Sequence, residues 1–338
     1  MRLTQKQLDK TLREFDHIVK VYKKRYSTKP ERDWRTYEQR LALRMKKAAE
    51  EIEPVVEKAY SMISVSKDGR GRPPKIPVTK KVLLLLIKEI FQLSNRKMSN
   101  LLMFLTFFTG IDISYKTVER CYSDELARLT IHNMFAIMVR KKEIENPDVS
   151  GDGTGYSLTV TKHYRNEREK ELREKSKRGR KSGKVKKVRR LFTYAFALMD
   201  IDSGMYIGYG TSMKSEKEAF RRAMDMVREI GISIDNVRLD KYYSVKSIVN
   251  EFSPETRIYV IPKKNATIKG SSGWRGIIRS FVVNTFHHLK EYYKRNNSES
   301  SFSVDKRMCG WKVWQKREDR IDTALLCRGV WHNLMLIG

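Results

Sequence analysis

Along the first 65 residues, apolar side chains recur at helical spacing, at Leu8, Leu12, Phe15 and Val19, between charged neighbours. Such spacing puts them on one stripe and predicts amphipathic helix. Pro30 and Pro54 punctuate this stretch. Residues 66–78 lose the period and collect glycines, prolines and cations, which reads as a basic linker. Periodic helix returns in three pieces, Thr79 to Leu93, Ser99 to Phe108 and Tyr115 to Leu129, within a helical unit over 79–146. The last two pieces, with Gly110 between them, fit a helix-turn-helix. Lys116, Glu119, Arg120 and Tyr122 lie on its second helix, available to contact DNA, which makes this a helix-turn-helix-like DNA-binding domain. A small helical packing unit fits the same pattern.

After Asn146-Pro147 the period changes. Val149 to Thr161 alternates weakly and is rich in β-branched residues. Leu191 to Asp200 and Met205 to Gly210 flank an Asp202-Ser203-Gly204 turn, the signature of a hairpin. Ser215-x-x-Glu218 is a capping box that opens a helix carrying Phe220, Ala223, Val227 and Ile230 and stopping at Gly231. A strand from Asn236 to Asp240, a helix from Ser244, a strand from Arg257 to Ile261 and a mostly helical end from Trp274 complete the pattern. The order β-β-β-α-β-α-β-α predicts an α/β fold for 147–338: a ribonuclease H-like mixed sheet with flanking helices, preceded by an all-helical N-terminal region.

Charge changes the picture more than composition does. Lys and Arg number 70 against 40 Asp and Glu, a formal charge of +30 over 338 residues. That excess points to nucleic acid as partner, by long-range attraction for phosphate. It is densest in the basic insertion 162–190, where 15 cations face four glutamates; this reads either as a solvated segment or as an arm along the DNA backbone. The longest apolar runs, Val82 to Ile87 and Leu101 to Phe108, fall far short of the ~20 residues that span a bilayer. The first 24 residues lack the apolar core of a signal peptide. Cys121, Cys309 and Cys327 are scattered, without zinc or disulfide spacing, as expected of reduced cysteines in a cytoplasmic, nucleoid-associated protein. His287 and His288 are adjacent on a helix and point about 100° apart, so they do not form a joint metal face.

The candidate chemistry lies in carboxylates. Asp152 sits within Gly151-Asp152-Gly153-Thr154-Gly155, where continuing strand argues against a dinucleotide fingerprint and the glycines allow DNA backbone or a metal to approach. Taken alone, it also reads as a turn aspartate. Asp240 closes the strand Val237-Arg238-Leu239-Asp240 and is equally a candidate helix cap. Tyr292, Arg295, Glu299 and Lys306 fall within an arc of about 60° on one helix. That face carries one carboxylate, two cations and a phenol, which suits a metal ligand flanked by phosphate clamps. The poor helix formers Asn296-Asn297-Ser298 allow a restart with Ser298 as cap. An exposed, salt-bridged helix is the plain alternative.

These residues resemble the DDE transposases of prokaryotic insertion sequences, specifically the YREK-signature group. Asp152 in Asp-Gly-Thr-Gly, Asp240 in Leu-Asp-Lys-Tyr-Tyr, and Tyr292, Arg295, Glu299 and Lys306 match its pattern over roughly Val149 to Leu336. The resemblance implies a ribonuclease H-like core in which Asp152, Asp240 and Glu299 bind two Mg²⁺ or Mn²⁺ ions. It implies that Tyr292, Arg295 and Lys306 hold DNA near the element's end, and that a homodimer brings two ends together. The implied reactions are hydrolysis at the element's ends and 3′-hydroxyl strand transfer into target DNA. Better-known members carry a β-rich insertion between the second aspartate and the glutamate. Only the 58 residues 241–298 lie there, too few for it, so a hairpin step is not implied. A nuclease that cuts without joining and a non-catalytic DNA-binding regulator are the rival readings. Finally, Arg70-Gly71-Arg72-Pro73 reproduces the core of an AT-hook, whose extended arginines enter a narrow minor groove; a basic linker is the alternative.

Overall fold

The computed structural model describes residues 3–26, 33–64, 75–159 and 192–337, without the side chains of Phe107, Phe108, Asn297 and Glu299. Arg70 and Arg72, and the basic insertion 162–190, therefore lie outside the described residues.

The N-terminal region is helical: α1 (Gln5–Tyr26), α2 (Trp34–Ser61), α3 (Val78–Ile90), α4 (Asn95–Phe104), α5 (Thr106–Thr109), α6 (Tyr115–Cys121) and α7 (Glu125–Lys141). Pro54 lies inside the helix it was expected to interrupt. The predicted helix from Tyr115 to Leu129 is two helices, because the Asp124 side chain accepts a hydrogen bond from Ala127 N and starts α7 afresh. Gly110 takes a left-handed turn (φ 63°) before α6. Ser99 Oγ donates to Ile113 O at 2.7 Å and pins α4 beneath that turn.

The sheet is mixed. β1 (Asp148–Leu158), β2 (Phe192–Asp200), β3 (Tyr206–Ser212), β4 (Asn236–Leu239) and β5 (Arg257–Tyr259) lie in the order β3-β2-β1-β4-β5. β1 runs antiparallel to β2 and parallel to β4, and β4 runs parallel to β5. A short β6 (Lys312–Val313), absent from the sequence reading, pairs with β1 at Ser157 and Leu158. The hairpin turns where Asp200 Oδ2 accepts from Ser203 N and Oγ, with Gly204 at φ 74°. Helices α8 (Glu216–Ile230), α9 (Lys246–Val249), α10 (Ser272–Val283), α11 (Thr285–Tyr293), α12 (Asn296–Cys309) and α13 (Glu318–Leu334) flank it. The capping box forms as read, Ser215 Oγ accepting from Glu218 N, and α8 ends at left-handed Gly231. Gly208 and Gly210 let α8 settle on β3, since a Cβ at either would run into α8 backbone.

A mixed sheet flanked by helices, preceded by a helical region, is consistent with the ribonuclease H-like architecture. α2, α3 and α7 pack together and against α13, which also covers β3. This packing buries a set of charges. Glu89 Oε2 meets the Arg328 guanidinium at 3.1 Å, and Lys88 Nζ donates to Tyr122 Oη at 2.9 Å. Tyr122, expected to be available on the second helix of the helix-turn-helix, is fully buried there, and Glu119 is bound by Arg320.

Candidate active site

Backbone periodicity aims the first acid. Alternate residues of a strand face opposite sides of the sheet, so Ser150, Asp152 and Thr154 share the face of β1 covered by α12. Ser150 Oγ donates to Ser298 Oγ at 2.9 Å, and Ser298 Oγ bonds Arg295 O at 2.8 Å. These bonds fix the α11–α12 joint over β1. The expected restart at Ser298 occurs three residues earlier: α11 ends at Tyr293, Arg295 occupies the joint, and Ser298 is buried in the first turn of α12.

Asp240 emerges where β4 ends, one strand over from β1, and its Oδ2 accepts weakly from Tyr242 N at 3.5 Å. Arg295 joins the two acids. Its Nη1 lies 4.0 Å from Asp152 Oδ1 and its Nη2 lies 3.7 Å from Asp240 Oδ1. One planar fork thus faces two carboxylates from segments nearly ninety positions apart. Tyr292 Oη donates to Asp240 Oδ1 at 3.5 Å, and the Arg295 guanidinium lies 5.4 Å from the Tyr292 ring. Burial pushes the Tyr292 phenol up to about 12, against the pull of Arg295, so it stays a donor at neutral pH. The side chains of Asp152 and Asp240 are 18% and 39% exposed, enough to be reached from solvent.

Lys306 supplies the next cation along β1. Its Nζ donates to Thr154 Oγ1 and sits 5.2 Å from the Tyr156 ring and 4.8 Å from the Trp311 ring. Burial lowers its pKa, with the Asp152 charge opposing the shift. On the opposite face of β1, Glu216 fills the space a Cβ on Gly153 would need and accepts from the Tyr243 hydroxyl.

Asp152, Asp240, Tyr292, Arg295 and Lys306 are therefore brought to one region of the sheet. Glu299 belongs to α12, but its side chain lies outside the described residues. Among the described residues, no three His, Cys, Asp or Glu side chains gather closely enough to hold a metal ion. Lys116 and Arg120 are exposed on α6, away from this group in sequence and element. Sequence reasoning missed Thr154, Trp311 and Glu216. The Gly-Asp-Gly-Thr-Gly run held the signal for Thr154, and none marked the other two. His288 is no metal ligand: it is buried, its ring nitrogens bonded to Ser280 Oγ and Val260 O. The three cysteines are free and buried. No described helix is long and apolar enough to cross a membrane.

Two acids presented by adjacent strands of such a sheet, with arginine, tyrosine and lysine around them, define a site suited to phosphate chemistry. No family model matches the chain. It is, however, 39% identical over 337 residues to a probable transposase for insertion sequence element ISA1214 from Archaeoglobus fulgidus, covering 99% of this chain and 97% of that protein. The chain belongs to this family of insertion-sequence transposases.

Proposed function

We propose that the protein cuts DNA at the ends of an insertion element and joins the freed 3′-hydroxyl to target DNA, using Asp152, Asp240 and Glu299 as its acidic triad. The convergence of Asp152 and Asp240 on the Arg295 guanidinium carries this reading, in a chain of transposase descent. Carboxylate oxygens are hard donors that suit Mg²⁺ or Mn²⁺. Both are reachable from solvent, and Arg295 contacts them at distances loose enough to yield to a metal. The donor set therefore fits, and Asp152, Asp240 and Glu299 would hold the ions. Two bound ions would supply activation of the attacking oxygen and neutralisation of charge on the leaving one.

The chain's own side chains do the remaining work. Arg295, freed from the carboxylates, offers a bidentate fork to a phosphate. Lys306 places a second positive charge further along β1. Tyr292 holds Asp240 in orientation through its hydroxyl. Cleavage is an in-line displacement in which water oxygen bonds to phosphorus and the 3′-oxygen leaves, taking up a proton. Joining repeats it with the 3′-hydroxyl as nucleophile and the target phosphodiester as substrate. Neither step needs a covalent protein intermediate.

Lys116 and Arg120, exposed on α6, are proposed to contact duplex DNA, with Arg70 and Arg72 reaching the minor groove. A homodimer is proposed to pair two ends. The test is incubation of purified protein with duplex DNA flanking its gene, in Mg²⁺ or Mn²⁺, followed by a joining assay with pre-cut ends. Site-specific nicking and strand transfer, both lost in Asp152→Asn, Asp240→Asn and Glu299→Gln, are expected. Cutting without joining would favour the nuclease, and binding without cutting the regulator.

A further inference from the structure

The edge of β1 that faces β4 is covered at both ends and bare in the middle. β4 pairs with residues 148–151, and β6 pairs with residues 157 and 158. Among the described residues, no strand pairs with residues 152–156 on that edge, although β2 pairs along the other edge throughout. The slot is five residues long, about 16 Å at strand rise. Asp152 opens it, and Asp240, at the end of β4, stands beside it.

The polarity of the slot follows from the ladder. Ser157 N donates to Trp311 O at 3.1 Å, and Thr159 N donates to Val313 O at 3.3 Å, so N–H groups of odd-numbered residues point to the β6 side. In a strand this direction repeats every second residue, and the β1–β2 register runs unbroken from Val149 to Ser157. The main-chain N–H and C=O groups of Gly153 and Gly155 therefore both point into the slot. Gly155 is exposed, and a Cβ there would meet only Phe192 Cδ1, at 3.6 Å. Lys306 borders the slot through Thr154, and Lys312 closes it in β6, exposed beside Trp311. Glu216, close to Gly153 on the other face, is engaged by the Tyr243 hydroxyl. The edge offers N–H donors alternating with carbonyls, and the charges of Lys306 and Lys312 beside them favour an anion at the donors.

We infer that the Gly153 and Gly155 amides form a main-chain cradle for the phosphodiester backbone of the DNA strand being cut, threaded between the ends of β4 and β6. The inference rests on the function proposed above and assigns the substrate path within that site. It gives the glycines of Gly-Asp-Gly-Thr-Gly a job distinct from the acid they flank: Asp152 serves the reacting phosphate, and the two amides hold the chain leading to it.

Proline at 155 removes only the slot-facing N–H, because that residue donates nothing to β2, and an edge position tolerates it. Alanine keeps the N–H. The experiment compares wild type, Gly155→Ala and Gly155→Pro for cleavage of duplex DNA flanking the gene. Alongside it, ¹⁵N-glycine-labelled wild type is titrated with a 24-nucleotide single-stranded oligodeoxynucleotide. Gly155→Pro is expected to cleave at least tenfold more slowly than Gly155→Ala at the same unfolding midpoint. The Gly153 and Gly155 amide signals are expected to shift on titration. Equal cleavage by the two variants, or unmoved Gly153 and Gly155 signals while other glycines shift, overturns the cradle. The titration decides alone if the proline variant does not fold. A wild type that cuts nothing sinks the functional reading instead, and a cutting wild type with an indifferent proline variant sinks only the cradle.

Discussion

Glu89 on α3 and Arg328 on α13 form an ion pair at 3.1 Å with 2% and 1% of their side chains exposed. The pair locks the helical region onto the sheet. The same guanidinium donates to Gly310 O at 2.9 Å and Lys312 O at 2.8 Å, which holds β6 against β1, and it lies 5.0 Å from the Tyr156 ring. Burial alone would raise the Glu89 pKa, but Lys88, Arg328 and the Tyr122 hydroxyl outweigh it and keep the carboxyl below its ordinary value. Glu89→Gln leaves two buried cations without their counterion. A destabilisation of about 3–5 kcal/mol is expected, read as a lower denaturant midpoint. A loss below ~1 kcal/mol would show that the pair is dispensable.

Arg295 bridges Asp152 and Asp240, so its removal has two opposite consequences. Arg295→Gln takes a positive charge away from the carboxylates, and Mn²⁺ affinity of the DNA-free protein is expected to rise. The same change removes the phosphate fork, and cleavage is expected to fall by on the order of 10²-fold. Arg295→Lys should restore little, because a single ammonium cannot reach both carboxylates as a planar fork does. Calorimetric Mn²⁺ titration and single-turnover cleavage check the two arms separately.

Two buried histidines give pH dependence of opposite sign. Burial pushes His288 down to about 4, and it is held neutral between Ser280 Oγ and Val260 O. The unfolded chain takes up this proton near pH 6.5, so stability is lost as pH falls from there to about 4, by roughly 3 kcal/mol at most. His332 is raised: burial opposes its charge, but Asp305, bonded at 2.8 Å, prevails. Tyr206 stacks on its ring at 3.6 Å, Gly204 O takes the other ring nitrogen, and the Arg44 charge works against protonation. Its contribution is complete below the unfolded pKa and lost as pH rises through the folded one. Unfolding midpoints across pH 4–9 are expected to fall at both ends. His288→Gln should flatten the acid limb only, and His332→Gln the alkaline limb only.

Gly208 is one of two glycines at which α8 sits hard against β3. A Cβ there would lie 2.6 Å from both Ala223 O and Val227 Cγ2, and the Ala223 backbone cannot give. Gly208→Ala is expected to cost about 1–3 kcal/mol. Gly276, exposed within α10 and with nothing near a Cβ, is the control and should be neutral or stabilising when changed to alanine.

Much of this was legible in the sequence, because it is local. The capping box at Ser215, the Asp200–Gly204 turn and the strand ending at Asp240 depend on neighbours within a few residues. The spaced Tyr292, Arg295 and Lys306 also announced themselves. What stayed hidden is tertiary. Glu89, Arg238 and Arg328 look like surface charges until three-dimensional packing pairs them; Arg238 is buried between Asp148 and Glu291. The two-residue β6 has no period of its own and exists only because β1 runs past β4. The break before α7 turned on one aspartate that reads equally well as mid-helix. The meeting of Asp152 with Asp240 needed the sheet order, which no single segment carries.

The shared cation is the claim on which the chemistry turns, and Mn²⁺ binding measured by electron paramagnetic resonance on the DNA-bound protein addresses it most directly. The account expects wild type to bind Mn²⁺ and Asp152→Asn, Asp240→Asn and Glu299→Gln each to lose at least tenfold in affinity while still binding DNA. Undiminished Mn²⁺ binding in any one of the three would remove that residue from the site, and undiminished binding in all three would contradict the account.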